Sequence, residues 1–230
     1  MNELVLSSAT FGVLISLLGY ALGLALKKRF RLGIFNPLLI AIVLVAAILL
    51  IFRIDYGSYY ASARYLSYLL TPATVCLAVP LYTQLEKLRK NLLAIGCALT
   101  AGALTSMLSV LALSALFGLS HQEYVTLLPK SITTAIGMGI SEELGGYVSI
   151  TVAVIILTGI FGNVSGDLVG RLFRITEPIA KGLSIGAASH AIGTARAMEW
   201  GELEGAMSSL AIVVSGLLTV IGASFFAGLL

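Results

Sequence analysis

The sequence predicts an all-α membrane protein, a polytopic bundle of helices, on three observations. Of its 230 residues 58% are hydrophobic and 11% are charged, whereas a soluble domain carries about a quarter charged residues. The 14 basic and 11 acidic residues are gathered between apolar runs, so they cannot cover a water-facing surface. Several of those runs approach the ~20 residues that a helix needs to cross a bilayer. The lipid bilayer is therefore an expected partner. The net charge of +3 is spread over short clusters beside the runs, as in cytoplasmic loops, and excludes nucleic acid as a partner.

In chain order the apolar runs fall at 4–26, 34–52, 58–86, 91–118, 127–146, 147–170, 182–198 and 204–230. No linker long enough to separate domains interrupts them, so 1–230 is expected to form a single transmembrane domain. The first run has Lys27, Lys28, Arg29 and Arg31 behind it and no small-residue cleavage signal, which predicts a retained span and not a signal peptide. Further positive clusters lie at Lys87, Arg89 and Lys90, and at Arg171, Arg174 and Lys181.

If all three clusters are cytoplasmic, an even number of crossings separates each from the next. Runs 34–52 and 58–86 satisfy this, but three runs lie between the second and third clusters. The run least able to cross is 127–146, which opens on Pro129-Lys130 and closes on Glu142-Glu143-Leu144-Gly145-Gly146. It is too short between those marks to span ~30 Å and is expected to be re-entrant. Run 182–198, with Gly182, Gly186, Ser189, His190, Gly193 and Arg196, is expected to be re-entrant or broken too. The expectation is about six full spans, two broken segments and an outside N-terminus; eight crossings remain if the charge rule fails once.

Cys76 and Cys97 lie inside apolar runs, where a thiol behaves as a small hydrophobe; no disulfide, metal site or cofactor is expected. Aligning Pro72 with Pro129 sets Leu70-Thr71-Pro72-Ala73-Thr74-Val75 against Leu127-Leu128-Pro129-Lys130-Ser131-Ile132. Such paired, interrupted segments suggest inverted repeats around a binding site, because broken helices leave termini free to contact an ion.

Three segments carry the candidate chemistry. In the first, Pro72 and Pro80 each remove a backbone donor and free carbonyls that hydrocarbon cannot satisfy. A plain proline kink explains this, as does a helix start at which Thr71, Ala73 and Thr74 meet an anion. In the second, Pro129 suits a first helical residue, followed by Lys130 and the hydroxyls of Ser131, Thr133 and Thr134. That set suits a carboxylate, unless Lys130 snorkels to the interface and the hydroxyls bond their own helix. Glu142 and Glu143 are loop charges, or one faces inward and couples a proton.

The third segment holds Ser189, His190, Thr194 and Arg196. Ionisable groups at membrane depth are costly and usually face a cavity or a partner. His190 is either a satisfied core histidine or a proton-coupling group. Arg196 either pairs with Glu199 or snorkels, or else clamps a carboxylate in bidentate fashion. Glycines and alanines around them permit close backbone approach. Phosphate-binding loops and zinc-protease motifs are absent from the sequence, so no enzyme activity is expected.

At these segments the chain resembles the LrgB/CidB family of bacterial membrane proteins, to which the plastid glycolate/glycerate transporter is related through its C-terminal half. The matching stretches are Pro72-Ala73-Thr74-Val75 with Pro80-Leu81-Tyr82, Pro129-Lys130-Ser131-Ile132-Thr133-Thr134 with Ile140-Ser141-Glu142, and Ser189-His190-Ala191-Ile192-Gly193-Thr194-Ala195-Arg196-Ala197. A fourth, Gly201-Glu202 with Gly205-Ala206-Met207-Ser208-Ser209-Leu210, continues into the last run. Ala135, Gly137 and Gly139 depart from the family pattern of Pro, Ala and a larger or acidic residue, which loosens the second segment.

The resemblance implies one of two roles. Some members are described as carriers of small monocarboxylates such as glycolate, glycerate or pyruvate. Others are described as antiholin-like or holin-like regulators of murein hydrolase export and lysis, partnered by a small LrgA/CidA-type membrane protein. The broken segments favour the carrier, because a pore built by oligomerisation needs polar stripes along whole helices and none is expected in 4–26, 34–52, 91–118 or 204–230. The carrier expectation places a carboxylate anion on helix N-termini after Pro72 and Pro129 and on Arg196, with His190 or Glu142 coupling protons. It also places the protein, as a homo-oligomer such as a dimer, in the bacterial inner membrane.

Overall fold

The computed structural model describes residues 10–30, 37–69, 72, 75, 76 and 78–230. Every regular element among them is helical, as the composition predicts. The chain divides into two compact units, Met1–Cys76 and Leu77–Leu230.

In the first unit, α1 (Phe11–Phe30), α2 (Pro37–Ile51) and α3 (Tyr56–Ser67) pack through small residues. A Cβ on Gly12 would stand 2.7 Å from the backbone nitrogen of Ala63, and one on Gly23 would stand 2.6 Å from Pro37 Cα. Lipid offers no hydrophobic drive for helices to associate, so backbones approach where side chains are smallest. The Gly12 N–H donates to Ser62 Oγ at 2.8 Å, and Ser16 Oγ meets Tyr59 Oη at 2.8 Å. Asp55 starts α3 by accepting from the Ser58 N–H at 3.1 Å.

The second unit contains α4 (Ala78–Thr83), α5 (Leu85–Lys90), α6 (Leu92–Phe117), α7 (His121–Leu127), α8 (Thr134–Glu143), α9 (Val148–Leu172), α10 (Pro178–Trp200) and α11 (Glu202–Ala227). Helix α6 stops at Gly118, whose φ of 63° is left-handed, and Ser120 with Glu123 forms a capping box that opens α7. Both the backbone N–H and the hydroxyl of Ser120 stabilise the Glu123 carboxylate and hold its pKa below the ordinary value.

Helices α1, α6, α9 and α11 are long and apolar enough to cross a membrane. Four candidate spans therefore stand among the described residues, where about six full spans were expected. The 15 residues of α2 reach only ~22 Å of a ~30 Å core. Within run 58–86, α3 ends at Ser67, and α4 and the start of α5 are separate short helices.

Both segments expected to be broken fold back on themselves. Helices α7 and α8 are joined by a turn through Pro129, and the chain closes where the Tyr147 N–H donates to Thr126 Oγ1 at 2.8 Å. Thr151 Oγ1 lies 2.9 Å from Thr126 O and 2.7 Å from Ser141 Oγ, fixing this mouth against the start of α9. Pro129 does not begin a helix, contrary to expectation. Capping at Ser120 starts α7 early enough that Pro129 follows its end at Leu127, and Thr133 becomes the N-cap of α8.

Helix α10 is interrupted at Ser189 and His190, the latter at φ 42° and ψ −140°. A Cβ on Gly193 would stand 2.8 Å from Ile185 O, so the legs 178–188 and 191–200 lie side by side. At their far ends Lys181 Nζ is 3.9 Å from the centre of the Trp200 ring, where a continuous helix would separate the two residues by ~28 Å.

The two hairpins approach α9 from opposite ends. The first has its mouth at Thr151, whereas the second has its mouth where Gly166 faces Trp200 and Gly170 faces Lys181. Both hairpins reach Ile155 of α9: a Cβ on Gly137 of α8 would stand 2.4 Å from Ile155 Cδ1, and His190 Nε2, at the tip of the second hairpin, donates to Ile155 O at 3.0 Å. Helix α11 supports both legs of the second hairpin, with Gly182 against Glu204, Gly186 against Ser208 and Gly205 against Met198.

Candidate functional site

Two opposed hairpins cannot fill the space beside α6, and a cavity of about 890 Å³ remains in the second unit. One face of α6 lines it through Ile95, Ala98, Gly102, Ser106 and Ser109, at the 3–4-residue spacing of a helical face. Thr158, Phe161 and Gly162 of α9 form a second wall, and Ile179, Leu183 and Ala187 of the first α10 leg form a third. Ser189, at the tip of that leg, and Lys130 with Ser131, at the tip of the other hairpin, complete the lining.

The Lys130 ammonium donates to Ser131 Oγ at 3.1 Å and to Ser106 Oγ at 3.3 Å, and the two hydroxyls stand 2.9 Å apart. No carboxylate pairs with Lys130 among the described residues. A partly buried cation held only by hydroxyls has unused capacity for an anion, and that anion would offset its desolvation. Thr133 caps α8 without a side-chain hydrogen bond, which leaves the first N–H groups of that helix uncapped by it.

The sequence-predicted residues separate into several groups. Lys130, Ser131 and Ser189 line the cavity. Thr133 and Thr134 are half-buried at the start of α8. His190 and Thr194 are buried behind the tip of the second hairpin: His190 is held by Ile155 O, and Thr194 Oγ1 lies 2.7 Å from Ser208 Oγ. Glu142 is exposed near the end of α8. Arg196 lies on the second leg of α10 and forms ion pairs with Asp167 of α9 and with Glu199. Asp167 also accepts from Trp200 Nε1 at 2.8 Å. Thr71, Ala73 and Thr74, and much of the proposed Pro72 repeat with them, lie outside the described residues.

Sequence reasoning missed the hydroxyls of α6. Thr105, Ser106 and Ser109 all face the cavity, a local cluster and not a polar stripe along the whole of run 91–118. Serine in an apolar helix usually bonds its own backbone, as Ser109 does to Ser106 O at 2.7 Å, so the pattern does not stand out. Asp167 was missed although a carboxylate inside an apolar run is a signal in itself.

Residues 16–229 match the LrgB-like family. Proteins named antiholin-like protein LrgB from Bacillus cereus (strain B4264) and Bacillus anthracis (strain A0248) are each 37% identical over 212 residues, 92% of this chain and 92% of theirs. No solved structure matches the chain. The relatives' name agrees with the antiholin-like expectation better than with the carrier expectation. A family match that runs through both hairpins, three of the candidate spans and most of the first shows that this membrane chain belongs to the LrgB-like family.

Proposed function

We propose that the chain is a carrier of small monocarboxylate anions in the bacterial inner membrane, working by alternating access around the tips of the two hairpins. The observation that supports this reading is the Lys130 ammonium, held by Ser106 and Ser131 at one end of a cavity and free of any carboxylate among the described residues. A small acid would bind there through its carboxylate, assisted by the N-terminus of α8. His190 is the proton-coupling candidate because it sits at the hairpin tip against Ile155 O, whereas Glu142 lies exposed near the end of α8. Arg196, satisfied by Asp167 and Glu199, holds the second hairpin in this reading instead of clamping substrate.

The relatives' name favours a second reading, an antiholin-like regulator of murein hydrolase export and lysis. In that reading a small LrgA/CidA-type membrane protein and a second copy of this chain are the partners. Reconstituted protein separates the two. Saturable counterflow of labelled glycolate or pyruvate, lost in Lys130→Met, is expected of the carrier. Unsaturable leakage of dyes and large solutes, unchanged in that variant, would overturn it.

A further inference from the structure

We infer that the same cavity also accepts an aliphatic tail, so that its ligand class extends from short acids to unbranched monocarboxylates, and that Gly102 governs the tail length admitted. This inference rests on the anion-binding reading of Lys130. From Ser106 the cavity continues along α6 past Gly102 and Ala98 to Ile95, a distance of ~16 Å. Glycolate or pyruvate would occupy only the polar end. Beyond it Ala187, Leu183 and Ile179 offer hydrocarbon contact, with Ser165, Ser184 and Asn91 as the uncharged polar members of that part of the lining.

Gly102 lies about one turn beyond Ser106 on the lining face of α6, where the polar end gives way to this apolar groove. A Cβ there would meet Ala187 Cβ at 3.7 Å and nothing else within 4 Å. The position tolerates a side chain sterically, and any large one would fill the groove one turn beyond Ser106. The charge arrangement orients the ligand: Lys130 is the basic residue of the lining, and Glu177, its acidic residue, borders the cavity beside Ile179 at the far end. A carboxylate is drawn to the first and repelled by the second.

The test is equilibrium binding of labelled acetate, pyruvate, butyrate, hexanoate and octanoate to the full chain in lipid nanodiscs, with empty nanodiscs subtracted. Affinity is expected to rise roughly threefold for each added methylene between butyrate and octanoate. In Gly102→Leu the rise should vanish beyond butyrate while pyruvate binding stays within about twofold, and Lys130→Met should lose every acid. Pyruvate binding that depends on Lys130 but acids that gain nothing with length would overturn this inference and leave the carrier reading standing. A length gain unaltered in Gly102→Leu would overturn the role of Gly102. Failure of all acids to bind would overturn both readings. If Gly102→Leu does not fold, the series on the unaltered chain still decides whether the tail binds.

Discussion

Lys130 and His190 show opposite ways of placing a polar group at membrane depth. The lysine is partnered by Ser106 and Ser131, which also bond each other; removing the charge strands neither hydroxyl. Lys130→Met is therefore expected to change stability by less than ~1 kcal/mol, since its desolvation cost disappears with its hydrogen bonds. Thermal unfolding in detergent checks this, alongside loss of uptake. His190 combines a bond to Ile155 O with a backbone at φ 42° and ψ −140°, a conformation suited to glycine. Such strain costs about 1–3 kcal/mol in a residue with a side chain. Both His190→Ala and His190→Gly lose the bond, but only the glycine variant relieves the strain. His190→Gly should thus be the more stable by ~1 kcal/mol or more, and the reverse order in denaturant titrations would refute strain at the tip.

At the level of elements, a carboxylate and an amide of α9 hold the second leg of α10, the amide being Asn163, whose Nδ2 donates to Ile192 O at 2.7 Å. Asp167 receives Arg196 and Trp200 from the second leg, while Lys181 of the first leg covers the Trp200 ring. Side chains of Arg196 and Asp167 are 24% and 35% exposed, so water screens the pair and the full cost of a buried ion pair does not apply. A double-mutant cycle with Asp167→Asn and Arg196→Gln is expected to give a coupling of ~1–2 kcal/mol. Coupling near zero, with carboxylate affinity lost only in Arg196→Gln, would return Arg196 to the role of substrate clamp. The tip is also closely packed. A Cβ on Gly162 would stand 1.6 Å from Ser189 Oγ, and Gly162→Ala should displace the tip from α9 at a cost of ~1–3 kcal/mol.

For the whole molecule, the hairpins make a prediction about sidedness. The mouth of the first lies at Thr126 and Tyr147, near the start of α9, and that of the second at Lys181 and Trp200, near its end. His121 Nδ1 lies 3.0 Å from Leu230 O, which puts the end of α11 on the side of the first mouth. In a chain with Cys76 and Cys97 replaced by serine, single cysteines at positions 123 and 145 should react from one side of the membrane. Cysteines at 175 and 201 should react from the other. Labelling of 123 and 175 from one side would show that the 127–146 segment crosses completely.

The sequence by itself determined the membrane class, the family and the two interrupted segments, because composition, charge parity and broken apolar runs are local properties. Parity of the positive clusters singled out 127–146, and glycines around His190 marked the second break. Helix lengths were less legible: capping by Ser120 and the shortness of α2 depend on where each helix starts, which apolar runs do not reveal. Only the tertiary structure decided what the breaks accomplish. It turned each segment into a hairpin, brought Ser106 beside Lys130 from 24 residues away and gave Arg196 to Asp167, 29 residues away. Pairings at that separation are set by which helix faces can approach, and hydroxyls in an apolar run carry no mark of the neighbour they will meet.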